Sequence, residues 1–461
     1  MPRIAIIGAG PIGLEAALLA RQLGHDVQVF EKGLVAENVL DWGHVRLFSP
    51  FGMNSSEWGR GAIARTFGSH MLPREDELVT GRDFVDRYLR GLMQLPELAG
   101  RIQTHHAVLS ISRRHFRKTA GIGSAARAAA PFQLLIQKQV PTTPRKLQQQ
   151  IYRTKDVEQT DDETELILRM GQFWTSADVV IDCSGTYPHH QGLSSGGGPC
   201  VGESELIPAH WYRVPMIDSQ RFGDRRILVV GSGFSAANSV MGLVEVARQH
   251  PKTQVLWIAD SPSGASADTG PLPRIPGDPL LERDQLAARA NELAVQGRIA
   301  PTRSSKSQRS AVTWFADAAI SSVSSVDDTK QLAIELDWSR ALGQGSGLPT
   351  RLTVDRLIAN VGYRPDRSIY EELHVHECYA TQGPIKLAAK LLGETSPDCL
   401  AQTSHGCDVL KNPEPNFFIL GSKSYGRNSN FLLRVGLEQV RDVLTQIPKE
   451  ATPPRATRRG R

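Results

Sequence analysis

Two short glycine turns, each set between an apolar run and an Ala/Leu-rich segment, constrain this chain more than any other feature. Near the N-terminus, Ile4–Ile7 leads into Gly8-Ala9-Gly10-Pro11-Ile12-Gly13. Residues 13–23 then carry a helix-like pattern, and Val27–Phe30 ends at Glu31. The arrangement recurs downstream: Ile227–Val230 leads into Gly231-Ser232-Gly233-Phe234-Ser235-Ala236, followed by residues 236–248 and by Val255–Ile258, which closes at Asp260. Apolar runs bounded by glycine predict strands, and the longer Ala/Leu-rich segments predict helices. The spacing therefore predicts two strand–turn–helix–strand units with parallel strands joined by a right-handed crossover.

The glycines have separate tasks. The first permits a sharp turn, the second lets a pyrophosphate approach the backbone, and the third lets the helix lie close to the strand. In the second turn Ala236 takes the third position, which its small side chain allows. Unpaired N–H groups and the helix dipole favour an anion at such a helix start. Glu31 at the end of one unit and Asp260 at the end of the other are placed to bind an adenosine ribose. Expected cofactor contacts are thus Gly8, Gly10, Pro11, Ile12, Gly13, Glu31 and Lys32 at the first turn. At the second they are Gly231, Gly233, Phe234, Ser235 and Asp260. After Asp260 the first Arg is Arg274, so NADH is favoured slightly over NADPH and both remain open.

The 461 residues, 40% of them hydrophobic and 22% charged, suit two or three globular domains and exclude a fibre or a disordered tail protein. The net charge of +5 falls largely in the C-terminal end, where Lys449, Arg455, Arg458, Arg459 and Arg461 face only Glu450. The rest is near neutral and carries no nucleic-acid footprint. No apolar run is long enough to span a membrane, and Met1-Pro2-Arg3 passes straight into an apolar strand, so the expected location is cytoplasmic. Cys183, Cys200, Cys378, Cys399 and Cys407 form no C-x-x-C pair. His374, His376 and Cys378 alternate along one face of an extended segment, but no catalytic-metal pattern accompanies them and no metal is expected. Residues 120–130, 141–164 and 261–279 read as loops or insertions. The apolar Phe84, Val85, Tyr88 and Leu89 predict core packing.

With two such units in one chain, the sequence resembles the two-dinucleotide-domain flavoproteins, in which an FAD domain is interrupted by an NAD(P)H domain. Val179–Thr186 is similar to the segment that leaves the FAD domain, and Leu357–Pro365 to the segment that returns to it. Phe417–Ser422 resembles the strand whose closing glycine meets the ribityl chain, although Ser422 stands where the disulfide-reductase branch has Asp. The resemblance implies an α/β fold with two Rossmann-like domains. Residues 1–215 form the first part of the FAD domain, 216–340 the NAD(P)H domain, 341–447 the second part, and 448–461 a basic disordered tail. It adds Arg46, Asp182, Gly185 and Gly421 to the cofactor contacts, with hinges near Pro215–Phe222 and 335–352.

Asn428–Gln439 is similar to the helix-opening segment of flavin N-hydroxylases and related class B monooxygenases, which makes Asn430 a candidate cap over the flavin. Trp42–Pro50 resembles the segment passing the flavin ring, with Phe48-Ser49 in place of the Thr-Asn pair of flavin-containing monooxygenases. His210 lies in a stretch loosely like the monooxygenase fingerprint. Ser49, His210 and Asn430 are therefore the candidate catalytic residues. The implied activity is an FAD- and NAD(P)H-dependent monooxygenase, acting on a small molecule with dioxygen through a peroxyflavin. The alternatives are a reductase of the same fold that passes electrons to a quinone, protein or disulfide, and a catalytically silent nucleotide sensor. A homodimer is compatible with all three.

Overall fold

The computed structural model describes residues 1–140, 168–260, 269–299, 311–326, 329–338, 348–393, 400 and 402–448. Of the segments expected to be loops or tail, 141–164, 261–268 and everything from Lys449 onward lie outside the described residues, as does Cys399. The chain divides into two compact units, residues 1–189 with 364–461, and residues 190–363.

The first unit opens with β1 (Arg3–Ile7), α1 (Pro11–Gln22) and β2 (Asp26–Phe30). β1 and β2 pair in parallel, Ile6 opposite Val29. α1 is buried nearly all round, with Ile12, Leu14, Ala16, Ala17, Leu18 and Ala20 all in the core, as its Ala/Leu-rich sequence allows. Burial of Leu14 or Leu18 contributes roughly 2 kcal/mol each. α2 (Glu57–Phe67) starts at Ser56, whose hydroxyl accepts from the Gly59 amide at 2.8 Å. The chain continues through β3 (Ile102–Gln103), β4 (His106–Arg113), β5 (Phe132–Val140), β6 (Leu168–Ala177) and β7 (Val179–Asp182). β4, β5 and β6 form an antiparallel sheet of their own. Phe84, Val85, Tyr88 and Leu89 are buried as the spacing predicts, and the helix widens into a π-turn over Val85–Leu89.

The second unit contains β8 (Arg226–Val230), α3 (Phe234–Gln249), β9 (Gln254–Ala259), α4 (Leu281–Gln296) and β10 (Val312–Ala316). These are followed by β11 (Ala318–Ser325), β12 (Leu332–Trp338), β13 (Arg351–Val354) and β14 (Arg356–Ala359). Its parallel sheet has the order β10-β9-β8-β14, and β11-β12-β13 are antiparallel. The first unit resumes with β15 (Phe417–Ile419) and α5 (Leu433–Leu444), completing the parallel order β15-β7-β1-β2-β3. The expected α/β architecture, a Rossmann-like domain interrupted by another, is present.

The division falls at 190 and 363, where the sequence suggests 216 and 340. Leu193, Cys200, Ile207 and Tyr212 share a buried cluster with Leu228, Val230 and Leu256, which ties the stretch before β8 to the inserted unit. β14 pairs with β8, Leu357 opposite Leu228, so Leu357–Ala359 also belongs there. The expected hinges fall inside the second unit for the same reason. Phe222 is buried in its core, and β12 pairs with β13 on the described sides of 339–347.

The Ala-rich stretch at 120–130 departs from its loop assignment. Ser124 caps a short helix, Ala125–Ala129, and Arg127 is buried, donating to Glu414 at 2.7 Å. Arg113 donates to the other oxygen of Glu414 at 2.8 Å. Among the described residues, no helix is long and apolar enough to cross a membrane.

Candidate functional site

Three parallel strands of the first unit end together at the start of α1. The Cys183 amide donates to Ile7 O and the Leu420 amide to Asp182 O, aligning the ends of β1, β7 and β15. Close packing explains the outer glycines of the turn. A Cβ on Gly13 would lie 2.0 Å from the Gly8 carbonyl oxygen, and one on Gly8, at φ 94°, would lie 2.8 Å from Cys183 O. Gly10 differs: a Cβ there would meet nothing within 4 Å. Gly10 is also the N-cap of α1 and supplies no side-chain acceptor, while Pro11 begins the helix without needing a donor. An open cradle at uncapped amides fits a pyrophosphate.

Glu31 closes the cradle, accepting from the Ala9 amide at 2.7 Å and the Gly33 amide at 2.8 Å. Burial raises its pKa, and these two amides oppose the rise. A carboxylate has about four lone-pair sites, so ribose hydroxyls can still be accepted. Lys32 is exposed beside it. Ile12 lies against the opposite wall, 3.3 Å from a Cβ built on Gly421, which adopts φ 73°. A Cβ on Gly185 would lie 3.6 Å from the Ser422 hydroxyl. The structure thus gathers Gly8, Gly10, Pro11, Ile12, Gly13, Glu31, Gly185 and Gly421 at one edge.

Asp182 has another role from the one expected. It is fully buried, and its carboxylate accepts from Lys423 Nζ at 2.6 Å and from the Ser184 hydroxyl at 2.7 Å. Lys423 also donates to Ser184 Oγ at 2.9 Å and lies 5.1 Å over the Tyr370 ring. The pair holds the ends of β7 and β15 in place behind the turn. Arg46 is exposed and bridged through its backbone to Thr80.

The three candidate catalytic residues are corrected by their surroundings. Ser49 is buried and its hydroxyl donates to Asn54 Oδ1 at 2.8 Å, so it is turned into the protein. Asn430 does not cap the last helix. The N-cap is Leu432, with no side-chain hydrogen bond, because Asn428 Oδ1 takes the Asn430 amide at 2.9 Å and closes a turn before the helix begins. His210 is exposed in the second unit, edge-on to Trp211 at 6.2 Å, and so is not part of the flavin unit to which its number assigned it.

The second turn repeats the pattern of close outer packing and an open centre. A Cβ on Gly231, at φ 133°, would lie 2.1 Å from Asn360 O, whereas one on Gly233 would meet nothing within 4 Å. α3 has Gly233 as an N-cap without a side-chain acceptor. Phe234 is half-buried and Ser235 exposed at the first turn of the helix. Two residues outside the motif complete the turn. Trp257 Nε1 donates to Gly231 O at 2.9 Å, and Ser239 Oγ donates to Asn360 Oδ1 at 3.0 Å. Asn360 is 9% exposed, and its Nδ2 is buried without a partner, a donor that an incoming group can satisfy. The residues present fit a second dinucleotide.

Sequence reasoning passed over Lys423, although a lone lysine within the apolar Phe417–Tyr425 stretch is a legible signal. Asn360 stood inside the return segment but was read only as part of a strand end. Neither Glu15 nor its partners were anticipated. Glu15 is buried on α1, its pKa raised by burial, and it accepts from Ser56 Oγ at 2.6 Å and Tyr88 OH at 2.5 Å.

Residues 5–120 match the family described as pyridine nucleotide-disulphide oxidoreductase. No curated protein sequence matches the chain. The bacillithiol disulfide reductase of Bacillus cereus is similar in structure, with 15% identity, a TM-score of 0.59, and 96% of this chain and 98% of that one covered. The cadaverine monooxygenase of desferrioxamine biosynthesis from Erwinia amylovora, solved with FAD, aligns at 12% identity and a TM-score of 0.54, covering 98% of both chains. The ornithine N-hydroxylase of Kutzneria sp. 744 aligns at 14% identity and a TM-score of 0.52, covering 96% of this chain and 98% of that one. The chain therefore has the fold of these two-domain proteins, among which are a disulfide reductase, an N-hydroxylase and a monooxygenase.

Proposed function

We propose that the chain is an FAD-dependent oxidoreductase that oxidises NAD(P)H and, as a monooxygenase, delivers one oxygen atom of dioxygen to a small organic substrate. FAD would be held by the amides after Gly10 and by Glu31, with Gly185 and Gly421 letting the backbone come close. The nicotinamide dinucleotide would be held by the amides after Gly233, with Asp260 at the ribose. When bound, FAD would supply the redox chemistry between the nicotinamide and the acceptor. The buried Lys423–Asp182 pair ties together the ends of the strands that would form the flavin cradle.

The observation that carries the choice of acceptor is the state of the cysteines. Cys183, Cys200, Cys378 and Cys407 are unpaired and buried. Burial raises the pKa of the Cys183 thiol, and that of Cys200 goes up to about 12, while hydrogen bonding at Thr381 lowers that of Cys378. The chain has no C-x-x-C pair and none of the four described cysteines is disulfide-bonded, which supports an acceptor other than a disulfide among them. The family matched over residues 5–120 favours the second reading, a reductase serving a quinone, protein or external disulfide.

One experiment separates the two. Protein reduced anaerobically by NADH or NADPH is mixed with oxygen and followed optically. The monooxygenase reading expects an intermediate spectrum between the reduced and oxidised forms. Monotonic, slow reoxidation by oxygen, with fast reoxidation by an added quinone or disulfide, supports the reductase. Protein that is colourless as isolated and binds no added FAD refutes both.

A further inference from the structure

The second unit has another polar edge, at the end of its parallel sheet opposite the glycine turn. β8 runs from Arg226 to Val230 and β14 from Arg356 to Ala359, in parallel, with Arg356 opposite Ile227. The whole of β8 therefore separates Arg225 from Gly231, roughly 16 Å of extended chain. At the Arg225 end lies a cavity of about 480 Å³ lined by Arg225, Thr329, Lys330, Gln331, Asp355 and Arg356. Its volume is that of a small-molecule site, and neither glycine turn accounts for it.

The wall is built around one satisfied acid. Asp355 accepts from the Arg226 amide at 2.7 Å and from Gln331 Nε2 at 2.8 Å. Burial pushes its pKa up, but those two hydrogen bonds and the charges of Arg225 and Arg356 hold it below its ordinary value. The cations are less well provided. Arg225 Nε is buried without an acceptor, and the Arg225 side chain makes no hydrogen bond or ion pair among the described residues. Lys330 is exposed and likewise without a partner there. Arg356 Nη1 donates to the Asp355 carbonyl at 3.1 Å. A buried guanidinium donor without an acceptor is costly, and an entering oxyanion removes that cost by accepting a charge-assisted hydrogen bond. Asp327 and Asp328, just before Thr329 in the chain, lie outside the described residues.

We infer that this cavity binds a phosphate group, as the free ion or as part of a small phosphorylated molecule, with Arg225 and Lys330 as its cations. The site goes beyond the proposed function and is independent of it, since it uses no group at either glycine turn.

Titration calorimetry of the purified protein in chloride buffer, with inorganic phosphate and with ribose 5-phosphate, tests it. Arg225→Gln and, at an exposed position, Lys330→Gln should each weaken binding roughly tenfold. Gly10→Val with Gly233→Val, which places a side chain in each dinucleotide cradle, should leave it unchanged. Asp327→Asn with Asp328→Asn removes like charge and should bind phosphate at least as tightly. Tighter binding of ribose 5-phosphate than of inorganic phosphate assigns the site to a phosphorylated molecule, and equal or weaker binding assigns it to the free ion. The inference is overturned if the wild type binds neither probe, or if affinity is unmoved in both Arg225→Gln and Lys330→Gln. Binding that is lost once the cradles are filled overturns it too, as does weaker binding by a folded Asp327→Asn, Asp328→Asn protein. Flavin content and flavin reduction by NADH or NADPH are read separately, so the proposed function stands or falls on its own.

Discussion

Gly10 and Gly13 lie three residues apart in one turn, yet the structure assigns them opposite failures. Gly10 sits at φ −77° and ψ −173°, a conformation open to any residue, and a Cβ there meets nothing within 4 Å. Gly10→Val should therefore cost the flavin-free protein no more than about 1 kcal/mol, the loss of a favourable N-cap residue. Its side chain fills the cradle, so the purified protein should carry almost no FAD. Gly13→Ala places its methyl 2.0 Å from the Gly8 carbonyl oxygen, well inside contact distance. The relief must come from moving α1 off β1, and overpacking of that kind costs about 1–3 kcal/mol. For a body of this size each kcal/mol lowers Tm by about 1–2 °C. The assays are flavin-to-protein ratio after purification, and urea unfolding of the deflavinated proteins followed by tryptophan fluorescence. A full complement of FAD in Gly10→Val, or an unfolding curve for Gly13→Ala that overlays the wild type, would refute the assignment of the two glycines.

Three other variants probe the buried polar groups. Lys423→Met leaves Asp182 charged and without its cation in the core, held only by Ser184, and should cost about 3–5 kcal/mol in urea unfolding, while Lys423→Met with Asp182→Leu should recover most of that loss; no recovery would mean the pair is not a unit. Asn360→Ala should weaken NAD+ binding about tenfold by calorimetry, through the loss of a satisfied buried donor, and leave flavin content unchanged; undiminished affinity refutes its role. Burial by itself raises the Glu414 pKa, but hydrogen bonds from Arg127 and Arg113 outweigh it and hold the group below its ordinary value. With the folded pKa depressed, its stabilisation is present above about pH 4.3 and is lost as pH falls through the folded pKa. The urea midpoint difference between wild type and Glu414→Gln should therefore shrink as pH falls below about 4.3, and a constant difference would refute the linkage.

The glycine turns were legible because each carries its requirement in residue type. Only glycine fits 2.0 Å from a carbonyl, and the neighbouring strands and helices declare themselves by apolar period. The boundaries of the inserted unit were not, because Cys200, Ile207 and Tyr212 look like linker residues until their partners on β8 and β9 are known. Arg127 was hidden in an alanine-rich stretch whose local composition says loop, while its partner Glu414 lies 287 positions away. Asp182 misled in another way. Its place at a strand end matched a ligand-contact pattern, but Lys423, far along the chain, claims its carboxylate. Local sequence reports backbone requirements well and long-range charge pairing poorly.

The points where the chain passes from one unit to the other have a modular consequence. Within the first unit the Arg364 amide donates to His189 O at 2.8 Å, and within the second His190 bridges to Tyr363. Each body therefore has its two cut ends side by side, like the prongs of a plug. A short linker can seal the first after excision, and the second can be carried as a cassette into any loop whose ends lie equally near. Recombination at these points would exchange the second unit while leaving the Gly8–Gly13 turn of the first uncut.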